Sequence, residues 1–291
     1  MASLKDIRQR IKAIKNIQKV TNAMKMVAAA RLRRSQINME QARSYARRIN
    51  EVLQHLLPAI DRSLNHLLDF REPEQIGFVI VTADRGLCGG FNANIIRITT
   101  GLLQDYDREK VSLICIGKKG RNHFIRQGYN VIGEYVDFWN DLAFQHAAGI
   151  VEQITRLYLE HNLDQVFLIY NEFKNVVRQE VVTQQFLPLV LTEADEEDEN
   201  SAELGEFLFE PSQQEIVNSL VPRHLNVQVW QALLESNAAE QAARMNAMGA
   251  ATENASEMIS TLTLEYNKAR QAAITKELLE IVSGAEALVK A

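Results

Sequence analysis

From Met1 to Leu57 the chain contains neither glycine nor proline, and Pro58 is the first residue that would break a helix. Nothing in the local chemistry interrupts one continuous helix across this stretch. At ~1.5 Å per residue, some 50 residues extend roughly 75 Å, well beyond an ordinary globular-domain helix. Apolar residues recur at Leu4, Ile7, Ile11, Ile14, Ile17, Val20, Met24 and Val27, in steps of three and four that stack them on one stripe. A stripe that narrow suits one or two partner helices rather than a full core.

The other end repeats the design. From about Gln213, and after Pro222, no further proline occurs and only Gly249 and Gly284 appear. Met245, Met248, Ala251, Ala255, Ile259, Leu262, Tyr266, Ala269 and Ala273 again step by three or four, continued by Leu278, Ile281 and Leu288. Alanine at so many seam positions lets two backbones approach closely. Each terminal helix needs a partner and is the nearest candidate for the other, so an antiparallel coiled coil is the simplest solution.

Between them the period changes. Gly77–Thr82, Val111–Ile116 and Val166–Tyr170 are short apolar runs rich in β-branched and aromatic residues, as buried parallel strands are. Helical patterns separate them at Asn92–Tyr106, Lys119–Gln127 and Asp141–His161. Val181–Leu191, interrupted by Pro188, reads as an edge strand, and Glu193–Glu206 as a solvated acidic loop. The expected fold class is therefore α/β: a long antiparallel coiled coil of the N- and C-terminal helices plus a central Rossmann-like α/β domain with a mostly parallel sheet. The boundaries are 1–57 for the first helix, 74–192 for the α/β domain, 193–211 for the acidic loop with the short segment after it, and 212–291 for the last helix.

Composition narrows the setting. Hydrophobic residues make up 46% of the 291, enough for a core, and no run approaches the roughly 18 to 20 apolar residues of a membrane span. The charged N-terminus lacks a signal-peptide stretch, which points to a cytosolic setting. The two cysteines, Cys88 and Cys115, argue against a disulfide framework and for buried, reduced thiols. Charge is segregated. Residues 1–50 hold thirteen Lys or Arg against Asp6 and Glu40, a balance of +11, and 193–215 hold ten acidic residues and no basic one. Such polarity implies charged partners at more than one place.

The motifs that resemble chemistry fail on spacing. Asp84-Arg-Gly-Leu-Cys-Gly-Gly-Phe-Asn92 lies where phosphate loops lie, between a strand and a helix, but lacks the Gly-x-Gly-x-x-Gly order and the Gly-Lys-Ser/Thr ending, as does Gly117-Lys-Lys-Gly120. A tight turn whose glycines supply positive φ and close packing fits better. The six histidines are scattered without metal or hydrolase spacing. A calcium frame opened at Asp195 and closed at Glu206 has Asn200 where the loop wants glycine. The basic first helix leaves two readings open: a coiled-coil adaptor or nucleic-acid binder gripping phosphates with Arg31, Arg33 and Arg34, or a rod facing acidic protein surfaces. No aromatic platform precedes Tyr45. A stand-alone nucleotide-dependent enzyme on the α/β fold is a third class.

Longer blocks are more specific. Lys5-Asp-Ile-Arg8, Ala23-Met-Lys-Met-Val-Ala-Ala-Ala30, Asp84 to Asn92, Asn171-Glu-Phe-Lys-Asn175, Glu235 to Ala255, Tyr266 to Leu278 and Ile281 to Glu286 together resemble the gamma-subunit family of the F-type ATP synthases, over nearly the whole chain. The resemblance implies a non-catalytic central shaft with no cofactor or metal of its own. Its implied partners are the α and β subunits of the catalytic hexamer, the epsilon subunit and the c ring, with no nucleic acid and with the membrane met only through the c ring. By similarity, Met24 and Lys25 lie beside an acidic loop of β, and Arg270, Gln271 and Thr275 match positions that bond a β catch loop. Phe207, Phe209 and Glu210 match a foot on the c ring and epsilon. The inserted segment and regulatory cysteine pair of the chloroplast type are missing. With the start at Met1 and no transit peptide, this favours a bacterial enzyme, peripheral on the cytoplasmic face of the inner membrane.

Overall fold

The computed structural model describes residues 4–56, 65–189 and 212–289, so the acidic loop and the expected foot residues Phe207, Phe209 and Glu210 lie outside the described residues. The ordered elements are α1 (Leu4–Leu56), β1 (Ile76–Val81), α2 (Phe91–Leu103), β2 (Val111–Ile116), α3 (Lys118–Arg126), β3 (Asn130–Tyr135), α4 (Phe144–Leu159), β4 (Gln165–Phe173), β5 (Gln179–Leu187) and α5 (Gln213–Val289). The chain divides into two compact units: Met1–Ala28 with Met245–Ala291, and Ala29–Arg244.

In the first unit α1 and α5 run antiparallel. Thr21 and Thr252 share a hydroxyl hydrogen bond of 2.8 Å, and the Lys25 stem crosses the open backbone at Gly249. The seam is heptadic, and here it departs from the stripe read off the sequence. Ile7 and Ala28 are buried, as is Thr21, and Ile11, Ile14 and Gln18 are half-buried between them. Ile17, Val20 and Val27 instead stand 55%, 58% and 54% exposed. The steps 14, 17, 20, 24 and 27 drift around the helix, whereas a partner that supercoils selects every seventh residue from Ile7, at positions 14, 21 and 28, polar or not. On α5 the predicted seam holds: Met248 and Ala255 are buried, and Ile259, Leu262, Tyr266, Ala269 and Ala273 are half-buried. Leu278 and Ile281, expected to continue the seam, are exposed, along with Leu279 and Val282.

In the second unit five strands form one sheet in the order β3-β2-β1-β4-β5. β1 pairs parallel with β2 and β4, β2 pairs parallel with β3, and β5 closes one edge antiparallel to β4. β1 and β2 are buried along their whole length, as their unbroken apolar runs require. β3 is not evident in the sequence, because Asn130, Gly133 and Glu134 interrupt an apolar run at a half-exposed sheet edge. One face, with Val79, Val81, Ile114, Ile116 and Leu168, packs against α4 through Ile150, Ile154 and Tyr158. The same core takes Val217, Val221, Leu225, Val229 and Leu233 from α5, which holds α5 helical through Pro222 despite the backbone bond lost there. α1 joins through Ile49 and Leu53 against Val227. α2 contacts β1 and β4, and α3 contacts β2 and β3. Both cysteines are buried free thiols, and burial pushes the Cys115 thiol up to about 12.

Gly117, at the end of β2, has φ +93°, and a Cβ there would stand 2.0 Å from the Thr82 carbonyl oxygen. Gly101, inside α2, has nothing within 4 Å of its would-be Cβ. Gly117→Ala should therefore destabilise the chain by ~3 kcal/mol or more, while Gly101→Ala is neutral or gains up to ~1 kcal/mol, as read from urea midpoints. Equal midpoints for the two variants would contradict this account. The seam register is checked by Ile7→Asp against Ile17→Asp. The first should cost about 2 kcal/mol or more in thermal loss of helix circular dichroism, and the second less than about 0.5.

Candidate functional site

In an open sheet of this order, ligands bind outside the carboxyl ends of the strands where the order reverses, here between β1 and β4. The segments leaving those two strands are the Asp84–Asn92 loop and the turn after Phe173. The groups that would build a phosphate cradle here are already paired. Asp84 accepts from the Lys118 amide at 2.9 Å and the Asp137 amide at 2.8 Å, placing its own carboxylate at the start of α3, where an anion would sit. The next amides of α3 donate to the Ala83 carbonyl, the Thr82 hydroxyl and the Gly117 carbonyl. Asn92 Oδ1 accepts from the Ala83 amide, and its Nδ2 reaches the Arg85 carbonyl and Cys88 Sγ. The tight-turn reading of the sequence stands.

The crevice itself is occupied by side chains of α5. Glu235, 1% exposed, accepts from Arg43 Nε of α1 at 2.8 Å and from the Phe173 amide at 2.9 Å, and the same guanidinium donates to the Phe173 carbonyl at 3.1 Å. One carboxylate thus ties α1, the end of β4 and α5 together. The bond to Glu235 holds the Arg43 guanidinium above its ordinary value. Two turns on, Arg244 pairs with Glu240 at 2.6 Å and donates to the Gly86 carbonyl of the β1 loop at 3.3 Å. Burial pushes the Glu240 carboxyl upward, and Arg244 opposes that rise. The sequence gives no sign of these four residues as a group. Arg43 is one cation among thirteen, and the partner of Glu235 lies 192 residues away.

The residues predicted to meet β lie in the first unit, at two separate stations. Met24 is half-buried and Lys25 exposed, on the α1 turn beside Gly249. Arg270, Gln271 and Thr275 are exposed on α5, and the Thr275 hydroxyl donates to the Gln271 carbonyl at 3.0 Å. Twenty-one residues of helix separate Gly249 from Arg270, roughly 30 Å. The two stations therefore do not form one site. Among the described residues no group of three or more His, Cys, Asp or Glu could hold a metal ion.

Known proteins are similar to this chain in sequence and in fold. The family model described as ATP synthase matches residues 3–288. The ATP synthase gamma chain of Chlorobaculum parvum is 51% identical over 294 residues, and that of Chloroherpeton thalassium 48% over 300, each alignment covering 99% of both chains. Among solved structures, a chain of the central stalk and c ring of the Tetrahymena thermophila mitochondrial ATP synthase aligns with a TM-score of 0.62 at 29% identity, over 80% of this chain and 99% of that one. A chain of the Euglena gracilis mitochondrial ATP synthase aligns with a TM-score of 0.70 at 22% identity, over 98% and 94%, which supports the fold alone.

The Glu235 clamp gives a direct test. Glu235→Ala leaves the buried Phe173 amide without its acceptor and the partly buried Arg43 guanidinium without its counter-charge, and should cost about 2 to 4 kcal/mol in urea unfolding. Glu235→Gln, which keeps an acceptor for Phe173, should cost less. A double-mutant cycle with Arg43→Met should show coupling of about 1 kcal/mol or more; additive losses would mean that the ion pair contributes nothing.

Proposed function

The chain belongs to the gamma-chain family of the ATP synthases, and from that premise we propose how its two units divide the work of a central stalk. It is a non-catalytic subunit of the complex, part of its membrane-associated F1 sector. Among the described residues no helix is long and apolar enough to cross a membrane. Residues 1–57 and 212–291 form the shaft, 74–192 the coupling domain and 193–211 a foot toward the c ring and epsilon, with Phe207, Phe209 and Glu210 at the contact. The complex sits on the cytoplasmic face of a bacterial inner membrane, and rotation driven through the c ring forces the catalytic β subunits through successive conformations.

One observation supports the shaft most directly: the first unit carries large apolar side chains that its own seam does not use. Ile17, Val20, Met26 and Val27 on α1, and Met258, Leu264, Ile274, Leu278 and Ile281 on α5, are all exposed. Apolar surface of this extent calls for a protein sleeve. Flexible methionine and aliphatic contacts suit a bearing because they stabilise without directional bonds that would hold one angle. The charged and polar stations punctuate this surface. Met24 and Lys25 face an acidic loop of β, and Arg270, Gln271 and Thr275 bond a catch loop, so that charge pairing sets preferred stopping angles. The nucleic-acid reading loses ground, since Arg43 is committed to Glu235 and Arg31 donates to Asn140.

Assembly with α and β subunits of the same source should yield a stable, ATPase-active complex. Arg270→Ala with Gln271→Ala should lower its coupled turnover several-fold while leaving the helix content unchanged, since both side chains are exposed. Unchanged turnover would remove the catch from this part of α5.

A further inference from the structure

The second unit holds a cavity of about 490 Å³ bounded by α1, β4, β5 and α5, with the Glu235 clamp in its wall. Its carboxylates are already neutralised. Glu235 is held by Arg43 and the Phe173 amide, and Glu172 accepts from Lys174 at 2.8 Å. What remains is a set of unanswered groups. Arg47, one turn after Arg43, lines the cavity with no ion pair or hydrogen bond among the described residues. His224 also lines it, 8% exposed, with no partner for its ring among the described residues. The Gln228 Oε1 atom is buried without a hydrogen bond, and its amide can turn to present donors instead. A buried amide oxygen without a partner is costly, and native interiors keep such a group where something else completes it, while the unpartnered His224 ring opens on the same cavity.

We propose that this cavity binds a small phosphorylated molecule, its oxyanion between Arg47 and His224 and its polar body against the neighbouring amides of Gln184, Gln228 and Gln231. The charge left over is positive, which selects an anion. The planar guanidinium fork of Arg47 favours an oxyanion over a halide. The volume exceeds what a bare phosphate fills, and the surplus is lined by neutral hydrogen-bonding groups suited to an uncharged polar remainder. This site does not depend on the shaft reading, so failure of either leaves the other standing.

The proton behaviour comes from the same groups. Burial pushes the His224 imidazole down to about 4, so it is neutral at pH 7 in the empty site. The titratable groups that line the cavity with it are Arg43 and Arg47 from α1, Tyr170, Glu172 and Lys174 from β4 and the turn after it, and Glu235 on α5. Burial and the nearby carboxylates keep the Tyr170 hydroxyl protonated, a donor rather than a competing anion. A bound oxyanion favours the imidazolium and raises its pKa, so binding takes up a proton and tightens as pH falls.

Calorimetric titration of the full-length chain with inorganic pyrophosphate at pH 6 and pH 8 tests this. The expected result is one saturable site, tighter at pH 6, weakened roughly ten-fold or more in Arg47→Gln. In His224→Gln the dependence on pH should flatten, with thermal stability checked alongside; should that variant unfold, exposed Arg47 still decides the question. Absence of saturable binding, affinity equal at both pH values in the parent chain, or affinity unchanged by Arg47→Gln overturns the proposal.

Discussion

The Glu235 carboxylate is the point on which the second unit turns. A carboxylate that is 1% exposed is tolerable only if its charge and lone pairs are answered, and here Arg43 and the Phe173 amide answer them from two other elements. The geometry of the clamp requires α1, β4 and α5 to be in place at once. Arg244, reaching from α5 to the Gly86 carbonyl, repeats the device at the neighbouring strand. Together the two contacts occupy the crevice where a sheet of this order would otherwise receive a nucleotide. The α/β unit keeps the outline of a nucleotide-binding domain while its own last helix takes the ligand's position. That substitution makes it a mount for α5 rather than an enzyme.

The first unit solves a different problem. Two helices with a seam only a few residues wide leave most of their surface outside the pair, and this chain puts Ile17, Val20, Val27, Leu264 and Leu278 there. The seam itself is modest: Thr21 bonded to Thr252, Gln18 half-buried, and the Lys25 stem lying over Gly249. Small and polar seam residues bring the helices close without a deep core. Large apolar ones are left on the outside of the pair, exposed.

Much of this is legible in the chain. The absence of glycine and proline before Pro58 marks α1, and the unbroken apolar runs mark β1 and β2 with bounds that the structure shifts by at most one residue. The Asp84–Asn92 block reads as a turn from its spacing alone. Other features are not readable. β3 is an edge strand with a glycine and a glutamate in it, and a half-buried strand needs no continuous apolar run. Hydrophobicity misplaces the register of α1, because Ile17, Val20 and Val27 are more hydrophobic than Gln18, Thr21 and Ala28 and draw the stripe toward themselves. The seam follows a strict seven-residue count from Ile7 through Ile14 and Thr21 to Ala28, a count the hydrophobicity of these residues does not single out.

By itself, then, the sequence determined what depends on neighbours along the chain: where helices can run unbroken, which strands are buried on both faces, and that no phosphate loop has the required spacing. These are local matters of backbone freedom and periodicity. Only the tertiary structure decided which face of α1 is the seam, that Arg43 rather than any other of its cations meets Glu235 across 192 residues, and that His224 and Arg47 share one cavity. Pairing between distant residues is set by the packing of whole helices on the sheet, and the energy that selects it appears only once those elements are assembled.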